Sequence, residues 1–223
     1  GFGTVPMITD ARLLDHYFQE KATVEYSLEE QRAVAGFLNL KTMANVAINA
    51  GRINVSEFCP DVLSEGQRYH ATDNPTGARC DVYSHYINIY GSDAASGYAR
   101  RPLDNVGIQY GLAALNDGVI TPAQFLDLNE LIGGYDEDGN AVAERTTADL
   151  DAVRIAYETG RLTNGGGGLA TMPIIDYRAY SDDRENGDVH VRYHSFSIRE
   201  RLQKANGRTD NHVMLIEDDR HGL

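Results

Sequence analysis

The stretch "DVHVRYH" at residues 188–194 sets an acid, two imidazoles and a guanidinium at alternating positions. In an extended chain alternate residues face the same way, so Asp188, His190, Arg192 and His194 would share one side. A carboxylate beside an imidazole fixes its tautomer and raises its basicity, the support a general base needs. Were the stretch helical, His190 and His194 would pair at i, i+4, a possible zinc grip. No third ligand is evident, so no metal is expected. The plain alternative for the whole cluster is a surface ion-pair group.

A second constellation lies at the ends of two short apolar runs. "MPIIDY" closes near Asp176, and "HVMLIEDDRHGL" closes near His221. In open α/β sheets catalytic groups sit at the carboxyl ends of parallel strands. Acid, helix, next strand, then histidine is the last stretch of a Ser…Asp…His hydrolase order. The nucleophile should come first, as G-x-S-x-G, yet no serine and neither cysteine stands in that spacing. Asp176 and Asp188 are therefore rival acids and His190 and His221 rival bases. Asp182 and Asp183 are weaker acids in a charged, solvated loop. The run "NGGGGL" precedes a strand, whereas a phosphate cradle follows one and opens a helix, so no nucleotide cofactor is expected. "LNDGVITPAQFLDL" and "YDEDGNAVAE" echo calcium loops but lack the ligands at the required positions.

These residues need elements to hold them. "DARLLDHYFQE" (10–20) reads as an amphipathic helix with Leu13, Leu14, Tyr17 and Phe18 on one face. "SLEEQRAVAGFLNL" opens with a capping box, Ser27 with Glu30. "LKTMANVAINAG" reads as a helix stopped by Gly51. The pattern then dissolves to about Arg101, apart from "DVYSHYINIYG", a short strand or a packed aromatic segment. Helical periodicity returns over 103–118. Thr121 and Pro122 make an N-cap and first position for the next helix. "TTADLDAVRIAYETGRL" is a helix capped by Thr147 and ended by Gly160. After "TNGGGG" (163–168), the order short strand, helix ended by Gly207, short strand reads as one β-α-β unit with parallel strands. Two strands cannot make a stable parallel sheet alone, so others must join them.

Composition bounds the function. The chain has 223 residues and a formal net charge of −13, which argues against nucleic acid or an anionic membrane as partner. No window is apolar enough to span a bilayer. Three lysines against 17 arginines suggest internal carboxylate pairing or compositional bias. A disulfide between Cys59 and Cys80 would close a loop of about 22 residues and contribute roughly 3 kcal/mol. It is favoured over two free thiols and would imply an oxidising compartment, secreted or periplasmic. The chain begins at Gly1 with no leader pattern, so a leader has been removed or the chain is a piece of a longer one.

Several stretches carry a family resemblance: "LLDHYF", "NPTGARC", the long "INIYGSDAASGYARRPLDNVGIQYGLAALNDGVITPAQFLDLNELIGGYD", "MPIIDYRAY" and "HVRYHSFSIRERL". They resemble the C-terminal half of a bacterial family of unknown function, whose members look like secreted α/β-hydrolases related to tannases and feruloyl esterases. The resemblance implies the C-terminal part of an α/β-hydrolase-like fold, with few strands. Residues 1–9 would end a core strand or loop. Residues 10–168 would form a mostly helical lid, and 169–223 the last β-α-β unit of the core. It implies a glycine-rich serine elbow before Gly1, on an N-terminal fragment or partner chain. Family members share the histidine matching His190, with Asp or Asn two residues earlier, while the position of His221 is less regular. The expected activity is carboxylic-ester hydrolysis of a small-molecule substrate, with Tyr69, Tyr83, Tyr86, Tyr90, Tyr98 and Tyr110 as candidate pocket residues and a homo-oligomer open. The alternative is a non-catalytic binding or assembly subunit that kept the fold.

Overall fold

The structure is a computed structural model that describes residues 5–218. Helix α1 (Val5–His16) begins inside the segment expected to be strand or loop. Pro6 is tolerated in a first helical turn, the Thr9 hydroxyl donates back to the Val5 carbonyl at 2.9 Å, and Val5 and Ile8 are buried at helical spacing. A π-turn over Tyr17–Lys21 continues it. Helix α2 (Leu28–Ala35) starts at the capping box: Glu30 N–H donates to Ser27 Oγ at 3.2 Å and Ser27 N–H to the Glu30 carboxylate at 2.6 Å. It ends at left-handed Gly36, earlier than its apolar pattern suggested.

Helix α3 (Leu40–Ile48) buries Met43, Val46 and Ala47 and packs along α1. It runs into a 3-10 turn, Asn49–Ile53, so Gly51 lies within the continuation and does not stop it. The following loops are pinned by a Cys59–Cys80 disulfide. "DVYSHYINIYG" folds as the aromatic segment, a 3-10 turn leading into α4 (Ile87–Tyr90), with Tyr83 and Tyr90 in the core.

Over 103–118 only α5 (Leu112–Asn116) is helical. The Asn105 amide donates to Gly133 O at 2.9 Å and accepts from Thr146 N–H at 2.7 Å, so its backbone follows a distant segment instead of a helix. Thr121 and Pro122 open α6 (Pro122–Leu131) as expected, with Thr121 accepting from Gln124 N–H at 3.2 Å. A hairpin, β1 (Gly134–Tyr135) and β2 (Ala141–Val142), turns around Asp136, which accepts from the amides of Asp138 and Asn140. Helix α7 (Leu150–Glu158) is capped by Asp149, which accepts from Ala152 N–H at 2.9 Å, and not by Thr147. Asp104 holds the Ala148 amide at 3.0 Å, which delays the helix past Thr147.

The last segment is the β-α-β unit: β3 (Ile174–Ala179), α8 (Tyr193–Asn206) and β4 (His212–Glu217). The strands pair in parallel, from Ile174 opposite His212 to Ala179 opposite Glu217. Left-handed Gly207 ends α8. The glycine run is a close approach: at Gly165 (φ 83°) a Cβ would lie 2.6 Å from the Arg201 carbonyl carbon of α8. One face of the strand pair stands open, with Ile175 71%, Tyr177 63%, Val213 52% and Leu215 48% exposed. The molecule is thus a mixed fold with many helices and few strands, its core built largely from α1, α3, α6 and the Tyr83–Tyr90 segment. Among the described residues no helix is long and apolar enough to cross a membrane.

Candidate functional site

The loop between β3 and α8 brings Asp188 and His190 together. His190 Nδ1 lies 2.7 Å from Asp188 Oδ1, and the same oxygen accepts the His190 backbone N–H at 2.7 Å. Arg184 holds the other oxygen. The two side chains differ sharply in exposure, Asp188 at 13% and His190 at 83%. Burial pushes the Asp188 carboxyl up, but the His190 amide and ring hydrogen bonds, with attraction to His190 and Arg184, outweigh it and leave the carboxyl below its ordinary range. An ionised carboxylate only accepts, so Nδ1 donates to it and Nε2 is the ring nitrogen not engaged by Asp188. That is the disposition of a general base with its orienting acid.

Contacts remote in sequence hold this loop. Asp188 N–H donates to Thr42 Oγ1 at 3.1 Å, and the amides of Asn39 and Asn45 donate to the carbonyls of Arg184 and Asn186 at 2.7 and 2.6 Å. Ser181 Oγ donates to His190 O at 2.8 Å and Arg178 to Val191 O at 2.8 Å. At Gly187 (φ 72°) a Cβ would meet Thr42 N at 2.4 Å, so only glycine lets the loop lie on the start of α3. Sequence reasoning offered no sign of the supports from α3, since they link segments 141 to 146 residues apart.

The alternation of residues 188–194 is not realised, because the chain turns into α8 at Tyr193. Arg192 is drawn to Asp182, donating through its backbone and Nε at 2.8 Å each. His194 Nε2 donates to Val189 O at 3.1 Å. His190 and His194 therefore do not face a common point, and among the described residues no cluster of three metal-ligating side chains occurs.

Asp176 sits in mid-strand, since β3 runs on to Ala179. Its ion-pair partners among the described residues do not include His190. Its Oδ2 is 3.7 Å from His212 Nε2 and its Oδ1 3.6 Å from Arg178 Nε. His212 opens β4 with its ring fully buried and, among the described residues, no hydrogen-bond partner for either ring nitrogen. Sequence reasoning passed over this histidine because it starts a strand instead of ending one. His221 lies outside the described residues. The only hydroxyl–imidazole hydrogen bond among the described residues is Thr72 with His70 at 3.1 Å. There Nδ1 also accepts the Asp73 N–H, which leaves it without the proton a supported base carries.

Behind the loop opens a cavity of about 820 Å³, reached by Asp182, Val191 and His194. Met7, Leu14, Val34 and Phe37 give it apolar walls, and Asp10, Arg161 and Arg201 charged ones. Burial pushes the Asp10 carboxyl up to about 6, against a hydrogen bond from Tyr110 and attraction to Arg145. Of the six tyrosines named from sequence, Tyr110 lines this cavity. Tyr83 and Tyr90 are core, Tyr86 stacks under Arg161, and Tyr69 and Tyr98 clasp Arg79.

A family model described as a tannase-like family of unknown function (DUF6351) matches residues 1–222. No curated protein and no solved structure matches the chain.

Proposed function

Because the chain belongs to this tannase-like family, we propose that it is part of a carboxylic-ester hydrolase, with His190 as general base and Asp188 as its orienting acid. The observation that carries the reading is the 2.7 Å contact of Asp188 with His190 Nδ1, beside a ring open to solvent. Among the described residues no serine is hydrogen-bonded to an imidazole, and on this reading the attacking hydroxyl comes from polypeptide other than residues 5–218. That polypeptide would extend the sheet at the edges of the β3–β4 pair and cover its open apolar face, since a lone parallel pair leaves both exposed.

The chemistry is acyl transfer to serine and then to water. The serine oxygen attacks the acyl carbon while His190 Nε2 accepts its proton. Asp188 stabilises the resulting imidazolium. The alcohol leaves with that proton, an acyl-enzyme remains, and water repeats the sequence to release the carboxylic acid. Asp176 fits this role less well, because its imidazole partner His212 is sealed from any substrate.

The test uses the native protein with every polypeptide that co-purifies. His190→Ala should lower kcat/KM for p-nitrophenyl butyrate by roughly 10²–10⁴-fold, and His70→Ala should leave it unchanged. Unaltered hydrolysis in His190→Ala would remove the proposal. The second reading, a non-catalytic assembly subunit, draws on the same open sheet face. It is favoured if a fluorophosphonate probe labels no serine in that material.

A further inference from the structure

We infer that the cavity behind the Asp188–His190 loop binds an amphipathic carboxylate, so that the substrate carries a free carboxylate at a distance from its scissile ester. The second clause rests on the hydrolase reading; the first does not. The cavity, about 820 Å³, has the size of a small-molecule site. Its charged groups decide the class. Asp182 is engaged twice by Arg192. Asp10 accepts from Tyr110 Oη at 2.6 Å and lies in the field of Arg145. Asp182 is thus ion-paired, and Asp10 is hydrogen-bonded to Tyr110 and, among the described residues, not to either cavity arginine.

The cations differ. Arg161 lies over the Tyr86 ring, 4.6 Å from its centre, and among the described residues it makes no ion pair. Arg201 donates to the Thr163 carbonyl at 2.8 Å and likewise meets no carboxylate. His194, Ser197, Ile198 and Arg201 recur at helical spacing on the α8 face that lines the cavity. In a chain of net charge −13, two partly buried guanidiniums in one cavity, neither ion-paired to an acid among the described residues, suit an anion brought by the ligand. The walls of Met7, Leu14, Val34 and Phe37 suit its apolar body. Val191, the neighbour of His190 in sequence, lines this cavity, although His190 itself does not.

The experiment is calorimetric titration of the protein with 4-phenylbutyrate and with the uncharged 4-phenylbutanol. The carboxylate should bind at least tenfold more tightly. Arg161→Gln, which breaks no hydrogen bond among the described residues, should abolish that preference, as should Arg201→Gln. Arg199→Gln, on the exposed side of α8, should keep it. Melting curves of each variant establish that it is folded. Equal binding of the two probes, no binding of either, or a preference surviving in Arg161→Gln would overturn the inference. Because binding is read without turnover, it is separable from the catalytic reading. Carboxylate preference with full activity in His190→Ala keeps the site and removes the hydrolase; the reverse pattern removes the site alone.

Discussion

At the scale of single residues, two carboxylates are set apart by their surroundings. Asp188 is depressed because His190 and Arg184 favour its charged form over the cost of burial. Its contribution to stability is therefore present above the ordinary carboxylate range and lost as pH falls through the depressed value. Asp188→Asn should lower kcat by roughly 10²–10⁴-fold, since an amide cannot stabilise the imidazolium. In urea unfolding the stability gap between that variant and the parent should close on acidification below about pH 4. A gap constant with pH would mean that Asp188 is not held ionised by His190. Asp10 has the opposite sign. With its folded value raised to about 6, it binds protons more readily folded than unfolded, so its charge burdens the fold above that pH and the burden fades toward pH 4. Asp10→Asn, which keeps an acceptor for Tyr110, should stabilise by about 1–3 kcal/mol at pH 8 and by little at pH 4. Thermal melts at the two pH values decide it.

At the scale of elements, the site depends on how a loop meets a helix. The 180–192 loop is laid on the start of α3 by Gly187, Thr42, Asn39 and Asn45. Gly187→Ala would place a methyl group into the Thr42 amide and force a left-handed conformation on alanine. It should cost about 2 kcal/mol and reduce ester hydrolysis by moving Asp188, even where the protein stays folded. Unchanged activity and melting temperature would show that the contact does not position the loop. Gly165 plays the same part against α8, whose capped C-terminus at Gly207 then aims the chain into β4.

At the scale of the whole molecule, the described residues make a helical body stapled by Cys59–Cys80 and ending in a parallel strand pair with one apolar face uncovered. The disulfide closes a segment with a sequence separation of 21 that has almost no regular structure of its own. Reduction should cost about 3 kcal/mol by releasing that loop in the unfolded chain. A lowered melting temperature in reductant, absent from a Cys59→Ser/Cys80→Ser variant, checks it. The uncovered face, Ile175, Tyr177, Val213 and Leu215, is no part of the hydrophobic core cluster.

What the sequence determined by itself was local. The Ser27 and Thr121 caps, the stop at Gly207, the β-α-β order and the Asp188–His190 pair are set by neighbours a few residues apart, so their chemistry can be read in order along the chain. Tertiary structure decided what distance along the chain conceals. Asn105 abandons a helical pattern for Gly133 and Thr146, Asp176 meets His212 instead of a strand-end base, and Arg161 and Arg201 come to line one cavity. Each of these outcomes pairs groups from different segments in a shared low-dielectric interior, where an unmatched polar atom is costly and local propensity yields to whichever partner the packing brings near.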